Sequence, residues 1–399
     1  MVFTENNKVA ARRRASKSVT RFESDEQMSG MNSRGAEIEA KTLLVHYWLV
    51  NMRGGEFVLE ALGRIFPKAD LLANVIDESL LAGSLLDKEI RATYINKLPL
   101  AKKLYPLYTG LMPGALEQFD ANEYELIISS ESGPAKWVIP RPDAKHICYC
   151  HSPMRYIWDQ RGLYLSKLPP PLRPVGHMLA GQLRRSDVLS SMRVSAFVAN
   201  STFVQKRINQ YYRRDAEVIH PPVDTDQYTA GEPEDFYLCA GQVVSYKRID
   251  LAVEACTRLG RRLIVAGGGD TRALREKAGP TVSFLGKVDQ DTLRDLMRRC
   301  RALLFPGVED FGLVPVEVMA SGRPVIAFGY GGALDTVQPG VSGLLFHEAS
   351  AEALVAAIER FEGDEDHFTA ERCQGWARKF SRSVFDQKFS DLARHVLSI

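Results

Sequence analysis

Two carboxylates, Glu309 and Glu317, stand eight residues apart around a glycine-containing turn in GVEDFGLVPVEVMASGRPVIAFGYGG, residues 307–332. Pro315 is tolerated in the first turn of a helix, so the stretch from about Gly312 to Ser321 predicts a helix that Gly322-Arg323-Pro324 stops. Glu309 then precedes this helix and Glu317 lies within its opening turns. At about 1.5 Å per helical residue plus an extended lead-in, the two acids stand on the order of 10 Å apart. That is the span between a ribose and a second sugar joined through a diphosphate. The amides of Phe311, Gly312, Leu313 and Val314 would face the phosphates, where the helix dipole favours negative charge. A surface loop carrying two solvated glutamates fits the same spacing.

Other segments carry complementary chemistry. VVSYKRIDLAVEA (243–255) brings Lys247 and Arg248 to the mouth of a helix, where cations can neutralise a departing diphosphate. The glycines of FGYGG (328–332) would allow backbone to approach a ligand, and a plain turn explains them equally. AGGGD (266–270) lacks the full G-x-G-x-x-G and is a weak dinucleotide signal. The histidine of CHSP, His151, follows a buried run and stands at a strand end, a position that favours a site over a core role.

The elements that must position these residues alternate. KTLLVHYW, LLANVI, ELIISS, HICYC and SAFVANS read as strands separated by helical or polar stretches, and NMRGGE after the first run opens a helix reaching Phe66. AEVIHPPVDTDQY closes this series at a rigid Pro221-Pro222. The alternation restarts with FYLCAG, RRLIVAGGG, TVSFLG, RALLFPG, RPVIAFG and GLLF. Alternating strand and helix implies α/β architecture with parallel sheets covered on both faces, and two such halves imply two Rossmann-like doubly wound domains. Ligands bind such sheets at the carboxyl ends of the strands, which puts the site in the cleft between the domains. The expected organisation is a disordered tail over 1–39, a first Rossmann-like domain over 40–222, a second over 223–380, and a helix over 381–399 that crosses back to the first.

Composition bounds the function. At 399 residues, 45% hydrophobic and 25% charged, the chain suits two soluble domains. Its 51 basic and 49 acidic residues leave a net charge of +2, so nothing calls for a nucleic-acid partner and any phosphate contact must be local. The six cysteines have no paired ligand spacing, and Cys148-Tyr149-Cys150 lies in an apolar run, so reduced thiols and a cytoplasmic location are expected. No run is long enough to span a membrane and the start has no apolar secretory core. Arg12-Arg13-Arg14 could touch anionic lipid; a solvated tail, or an over-extended start ahead of Met28 or Met31, fits equally. KLPLAKKLYPLYTGLMP (97–113) mixes lysines with apolar residues as an interfacial segment would, and an ordinary amphipathic helix on the core explains it as well.

Taken together, Glu309-DFGLVPV-Glu317, SYKRID, FLGKVDQ and FGYGG resemble the retaining glycosyltransferases of family 4, which have the GT-B architecture. The resemblance runs from about residue 42 to the end. MRGGEFVLEAL (52–62), YCHSPMRYIWD (149–159) and YYRRDAEVIHPPVDTDQY (211–228) are similar to the bacterial mannosyltransferases of O-antigen and exopolysaccharide assembly. The resemblance implies transfer of a hexose with retention, from a nucleotide-diphospho-sugar such as GDP-mannose to a lipid-diphosphate-linked glycan. The first domain would serve the acceptor and the second the donor, at the cytoplasmic membrane face. It further implies that Glu317 binds the ribose, Glu309 holds donor-sugar hydroxyls, and His151 faces the donor sugar. Lys247, and beside it Arg248, would contact the diphosphate. Asp310, Phe311, Gly312 and Leu313 would present amides to phosphate or sugar, and Gly54 and Gly55 would admit acceptor and donor phosphates.

One departure from the family stands out. Gln242 occupies a position often held by Arg, and a neutral amide cannot offset diphosphate charge. No metal or other cofactor is expected, because Asp224-Thr225-Asp226, which mimics a metal-binding Asp-x-Asp, follows the Pro-Pro linker and suits a cap or turn. Two alternatives share the architecture: a nucleotide-sugar 2-epimerase, for which no additional carboxylate pair is evident, and a non-catalytic nucleotide-sugar-binding scaffold, which Gln242 favours. An NAD-dependent dehydrogenase is disfavoured because NMRGGE replaces the dinucleotide turn.

Overall fold

The computed structural model describes residues 38–399 other than Arg53. The expected tail over 1–39, with Arg12, Arg13 and Arg14, lies almost wholly outside the described residues.

Two all-parallel sheets organise the chain, as the alternation implied. The first comprises β1 (Thr42–His46), β2 (Asp70–Ala73), β3 (Ile90–Ala92), β4 (Leu126–Glu131), β5 (Lys145–Cys150), β6 (Ala196–Ala199) and β7 (Ala216–Val218). Its order is β3-β2-β1-β4-β5-β6-β7. The second comprises β8 (Tyr237–Ala240), β9 (Leu263–Ala266), β10 (Val282–Gly286), β11 (Ala302–Phe305), β12 (Val325–Phe328) and β13 (Gly343–Phe346), in the order β10-β9-β8-β11-β12-β13.

The central strands are continuous apolar runs because helices cover both faces of each sheet. All of TLLVH in β1 and ALLF in β11 is buried. In the second sheet Leu238, Leu303 and Phe305 belong to one core, while Tyr237, Cys239, Ala302 and Leu304 belong to the core on the opposite face, as the two-residue pleat requires. Two strands were not anticipated, the edge strands β3 and β7. Each is three residues long and carries one charged side chain, too short for periodicity to register.

Two chain crossings join the domains side by side. The segment around Pro221-Pro222 passes from β7 to the second sheet, and the Val223 amide donates to the Phe380 carbonyl at 2.9 Å. From there the helix Arg382–Ser398 returns to the first domain. Its Phe385 and Phe389 pack on Tyr149 of β5, with ring centroids 5.9 and 6.4 Å away, and Arg64 reaches Asp386. Asp224 precedes a single 3-10 turn, Thr225–Gln227, and pairs with Arg382 at 3.1 Å, so the acid secures the crossing.

In each sheet the first strand pairs with a neighbour on either side, β1 with β2 and β4, and β8 with β9 and β11. The connections therefore leave in opposite directions at β1/β4 and at β8/β11, and each such switch point opens a crevice beyond the strand ends.

Candidate active site

The β8/β11 crevice holds the charged residues. Gly241 follows β8, and its φ of +110° is a conformation that an L side chain rarely adopts. A Cβ there would stand 2.6 Å from Lys247 Nζ, so the missing side chain makes room for the ammonium. Beyond β11, a Cβ on Gly307 would meet Lys247 Cα at 2.4 Å, so the two loops lie directly against each other. Lys247 Nζ consequently stands 2.9 Å from Glu309 Oε1. Their side chains are 14% and 22% exposed, so the pair opens to the cleft. The contact is coulombic, because its angles do not make an aligned hydrogen bond.

Glu317 lies on the helix Leu313–Ala320 as the sequence implied. Desolvation pushes its carboxyl above the ordinary value, Glu309 adds to this, and Tyr228, Arg294 and Lys247 oppose it. The two acids and the lysine thus form one electrostatic group. Tyr246 borders them. Its phenol is pushed up by desolvation and by Glu309, while Lys247 and Arg155 pull it down. Gly312, at φ +87°, starts the helix, and no described side chain caps it. Elsewhere Ser201, Asp289, Ser350 and Thr369 do cap their helices.

The glycines of FGYGG have a packing reason. A Cβ on Gly331 would meet the Glu309 carbonyl oxygen at 2.6 Å, and one on Gly332 would meet Phe311 Cα at 2.4 Å. The Gly332 amide donates to that Glu309 carbonyl at 2.9 Å. The loop after β12 thereby clamps the backbone that carries Glu309. The glycines of AGGGD act similarly: a Cβ on Gly267 would overlap the Gly241 carbonyl, at 1.8 Å, and one on Gly269 would meet the Val243 carbonyl oxygen at 2.5 Å.

Several of the expected donor contacts are otherwise engaged. Asp310 accepts from Arg207 at 2.9 Å and lies 3.6 Å from Arg155, both of the first domain. Burial pushes its carboxyl up, and these two guanidiniums oppose the shift. Phe311 is buried between His220 and Phe380, with centroids at 5.5 and 5.7 Å. Arg248, at φ +48°, turns onto Asp250 at 3.1 to 3.2 Å, and Gln242 is exposed.

At the end of β4 in the first domain, Glu131 is buried together with Lys136 and Asp187. A Cβ on Gly54, at the start of the helix Gly54–Ile65, would stand 3.0 Å from Leu313 Cδ1, so the two helix starts meet across the cleft. A Cβ on Gly55 would approach Tyr47 Oη at 3.0 Å and His151 Nε2 at 3.5 Å. His151 Nε2 lies 2.8 Å from Ser130 Oγ at the end of β4, and Asn200 donates to the His151 carbonyl at 2.9 Å. Burial lowers its pKa to about 3, so the imidazole is a neutral hydrogen-bonding group. Behind it, His46 Nε2 and Glu56 Oε1 are 3.8 Å apart.

The structure therefore groups Lys247, Glu309 and Glu317 on one wall, and Gly54, Gly55 and His151 facing Leu313 on the other. Arg207 was not anticipated. It lies mid-helix in QKRINQYY and carries no motif, yet it donates to Ser152 Oγ at 2.6 Å, Asp159 at 2.6 Å and Asp310. Ser201 and Thr202 add bonds to the Asp310 carbonyl and to Asp335. Arg155 was legible only as part of YCHSPMRYIWD.

Comparison with known proteins fits this geometry. Residues 64–227 match the family described as Glycosyltransferase Family 4, and residues 223–380 match Glycosyl transferases group 1. The chain thus carries the group 1 and family 4 domains of the GT-B glycosyltransferases. It is 29% identical over 202 residues to the D-inositol 3-phosphate glycosyltransferase of Mycolicibacterium smegmatis, covering 44% of this chain and 45% of that one. It is 26% identical over 301 residues to human alpha-1,3/1,6-mannosyltransferase ALG2, covering 65% and 70%. The matches span 37% to 45% of the length of the first three curated relatives. Its fold is similar to that of Anabaena Alr3699/HepE in complex with UDP, with a TM-score of 0.66 at 18% identity, over 89% of this chain and 100% of that one.

Proposed function

We propose that the protein is a retaining hexosyltransferase that moves a sugar, mannose from GDP-mannose in the reading the motifs favour, onto a lipid-diphosphate-linked glycan. The observation that carries this reading is the Lys247–Glu309 pair at the β8/β11 switch point, facing the glycine turn and neutral His151 of the other domain. The human mannosyltransferase relative supports the sugar; the UDP bound to the similar Anabaena protein makes uridine donors the first comparison.

In this mechanism Lys247 leaves Glu309 to contact the donor diphosphate, and the uncapped amides of the helix at Leu313 add their dipole. As the sugar–phosphate bond breaks, these groups stabilise the charge that builds on the leaving oxygen. Glu309, released from its lysine, accepts hydrogen bonds from sugar hydroxyls beside the developing oxocarbenium centre, and Glu317 takes the ribose. His151 bonds a sugar hydroxyl without changing charge. The acceptor oxygen attacks from the face the phosphate leaves, and the phosphate oxygen receives its proton, so configuration is retained. Charge stabilisation here is assigned to lysine and helix amides, and no metal is required. The reaction would take place at the cytoplasmic membrane face, where the acceptor's lipid resides.

The test is turnover of a panel of GDP- and UDP-sugars with a membrane lipid extract as acceptor. Consumption of GDP-mannose that Glu309→Ala abolishes is the expected result. A second reading rests on Gln242, exposed and neutral, together with the engagement of Arg248 by Asp250. If a donor binds and none is consumed, the protein is a nucleotide-sugar-binding scaffold.

A further inference from the structure

The first domain projects a helical hairpin formed by Arg161–Ser166 and Arg173–Ser191. Between Gln160 and Ser186 the sequence has five cations, Arg161, Lys167, Arg173, Arg184 and Arg185, and no acidic residue, in a chain whose net charge is only +2. The flanking acids are consumed internally: Asp159 pairs with Arg207, and Asp187 with Lys136 and the Trp158 indole. The same hairpin leaves large apolar side chains in solvent. Leu163, Tyr164, Leu172, Val175, Met178 and Leu179 are all exposed, Met178 by 58%. Along its flank runs a groove of about 790 Å³ in which Trp158, Met178, Val188 and Leu189 lie beside Arg184 and Arg185.

Dense positive charge interleaved with exposed aliphatic groups matches a lipid interface, where acyl chains take the apolar side chains and anionic headgroups take the cations. An acidic protein partner would satisfy the charges alone. The hairpin also borders the cleft. Tyr164 packs near Tyr156 with centroids 6.1 Å apart, and its phenol interacts with that of Tyr246 beside Glu309 and Lys247.

We propose that this hairpin docks the protein on an anionic lipid surface and holds the mouth of the cleft against it, where a lipid-anchored acceptor can enter. The role of the acceptor rests on the transferase reading above; the lipid contact does not. The proposal differs from the membrane contact suggested by residues 97–113. There Leu100 and Leu107 are exposed, but Lys102 is neutralised by Asp77 at 3.0 Å.

The test is co-sedimentation of the full chain with phosphatidylcholine vesicles, with and without phosphatidylglycerol. Binding should require the anionic lipid and weaken with salt. It should fall at least tenfold in Lys167→Glu/Arg185→Glu and in Met178→Asp/Leu179→Asp, and persist when Lys97, Lys102 and Lys103 become Glu. Thermal melts of each variant identify any that fail to fold, and the two hairpin variants change different chemistry, so each checks the other. Equal binding to neutral vesicles, no binding, or undiminished binding by both hairpin variants overturns the proposal. So does a wild-type dimer that Met178→Asp/Leu179→Asp dissociates while vesicle binding is absent. Donor hydrolysis without lipid acceptor should be unchanged in the hairpin variants. If hydrolysis is absent in the wild type while vesicle binding follows the hairpin, the transferase reading fails and the docking surface stands.

Discussion

The two switch points of this molecule have the same topology and different described side chains. At β8/β11 a lysine and a glutamate meet 2.9 Å apart at the cleft wall, with a second acid within their field. At β1/β4 the described residues beside Leu313 include two glycines and a histidine kept neutral by burial, while Glu131, Lys136 and Asp187 pair out of solvent behind them. Topology supplies a crevice in both cases; on the transferase reading, the Lys247–Glu309 pair suits the second one to a phosphate. The proposed transferase would then stabilise the leaving group from the second domain and use the first to shape and orient.

The strongest test of that asymmetry is to remove charge from one side. Glu309→Ala or Lys247→Ala should lower kcat for donor turnover by about 10²- to 10³-fold, the scale for loss of a preorganised charge-stabilising group. His151→Ala should cost far less, and initial rates of the three variants compare the sides directly. A His151 variant as impaired as the Lys247 variant would erase the distinction.

The next effect concerns what holds the two sides together. Arg207 is buried and bridges Asp159 and Asp310. Arg207→Met leaves these acids their 3.6 Å contacts with Arg155 and should lower stability by about 1 to 3 kcal/mol, read as a lower urea midpoint. Loss of activity without loss of stability would recast Arg207 as a donor contact.

A smaller effect sharpens the division of labour inside the charged side. Glu317 is expected to grip the ribose equally in ground and transition states, so Glu317→Gln should raise donor KM about tenfold, the worth of one hydrogen bond to a charged group, and spare kcat. A fall in kcat with unchanged KM would move Glu317 to the reacting centre.

The smallest effect is a pH signature of histidines buried in the first domain. Burial depresses His146 and His151 to about 3 from the ordinary 6.5. A base depressed by folding contributes stability that is complete above its unfolded value and is lost as pH falls towards its folded value. Tm should therefore decline as pH drops from 6.5 towards 3, and His146→Gln should flatten that decline. Glu131 opposes part of the trend, because burial raises it to about 7 from 4.5, so its contribution is lost as pH rises across that interval. An acid limb identical in wild type and His146→Gln would show that this histidine is not neutral in the folded chain.

Much of this was legible in the sequence because it depends on local pattern. Buried parallel strands announce themselves as unbroken apolar runs, Pro315 and Gly322 bracket their helix, and the strand–turn–helix order alone implies two doubly wound sheets. The spacing of Glu309 and Glu317 and the position of Lys247 could be read for the same reason. What the sequence could not reveal were relations across long separations. That the Gly307 backbone lies against Lys247, that Gly331 and Gly332 clamp the Glu309 backbone, and that Arg207 holds Asp310 are matters of contact between segments tens to over a hundred residues apart. Local propensity specifies elements, but only packing decides which side chains share a dielectric environment. Tertiary structure alone therefore determined that the Lys247–Glu309 pair opens to the cleft while His151 is held neutral.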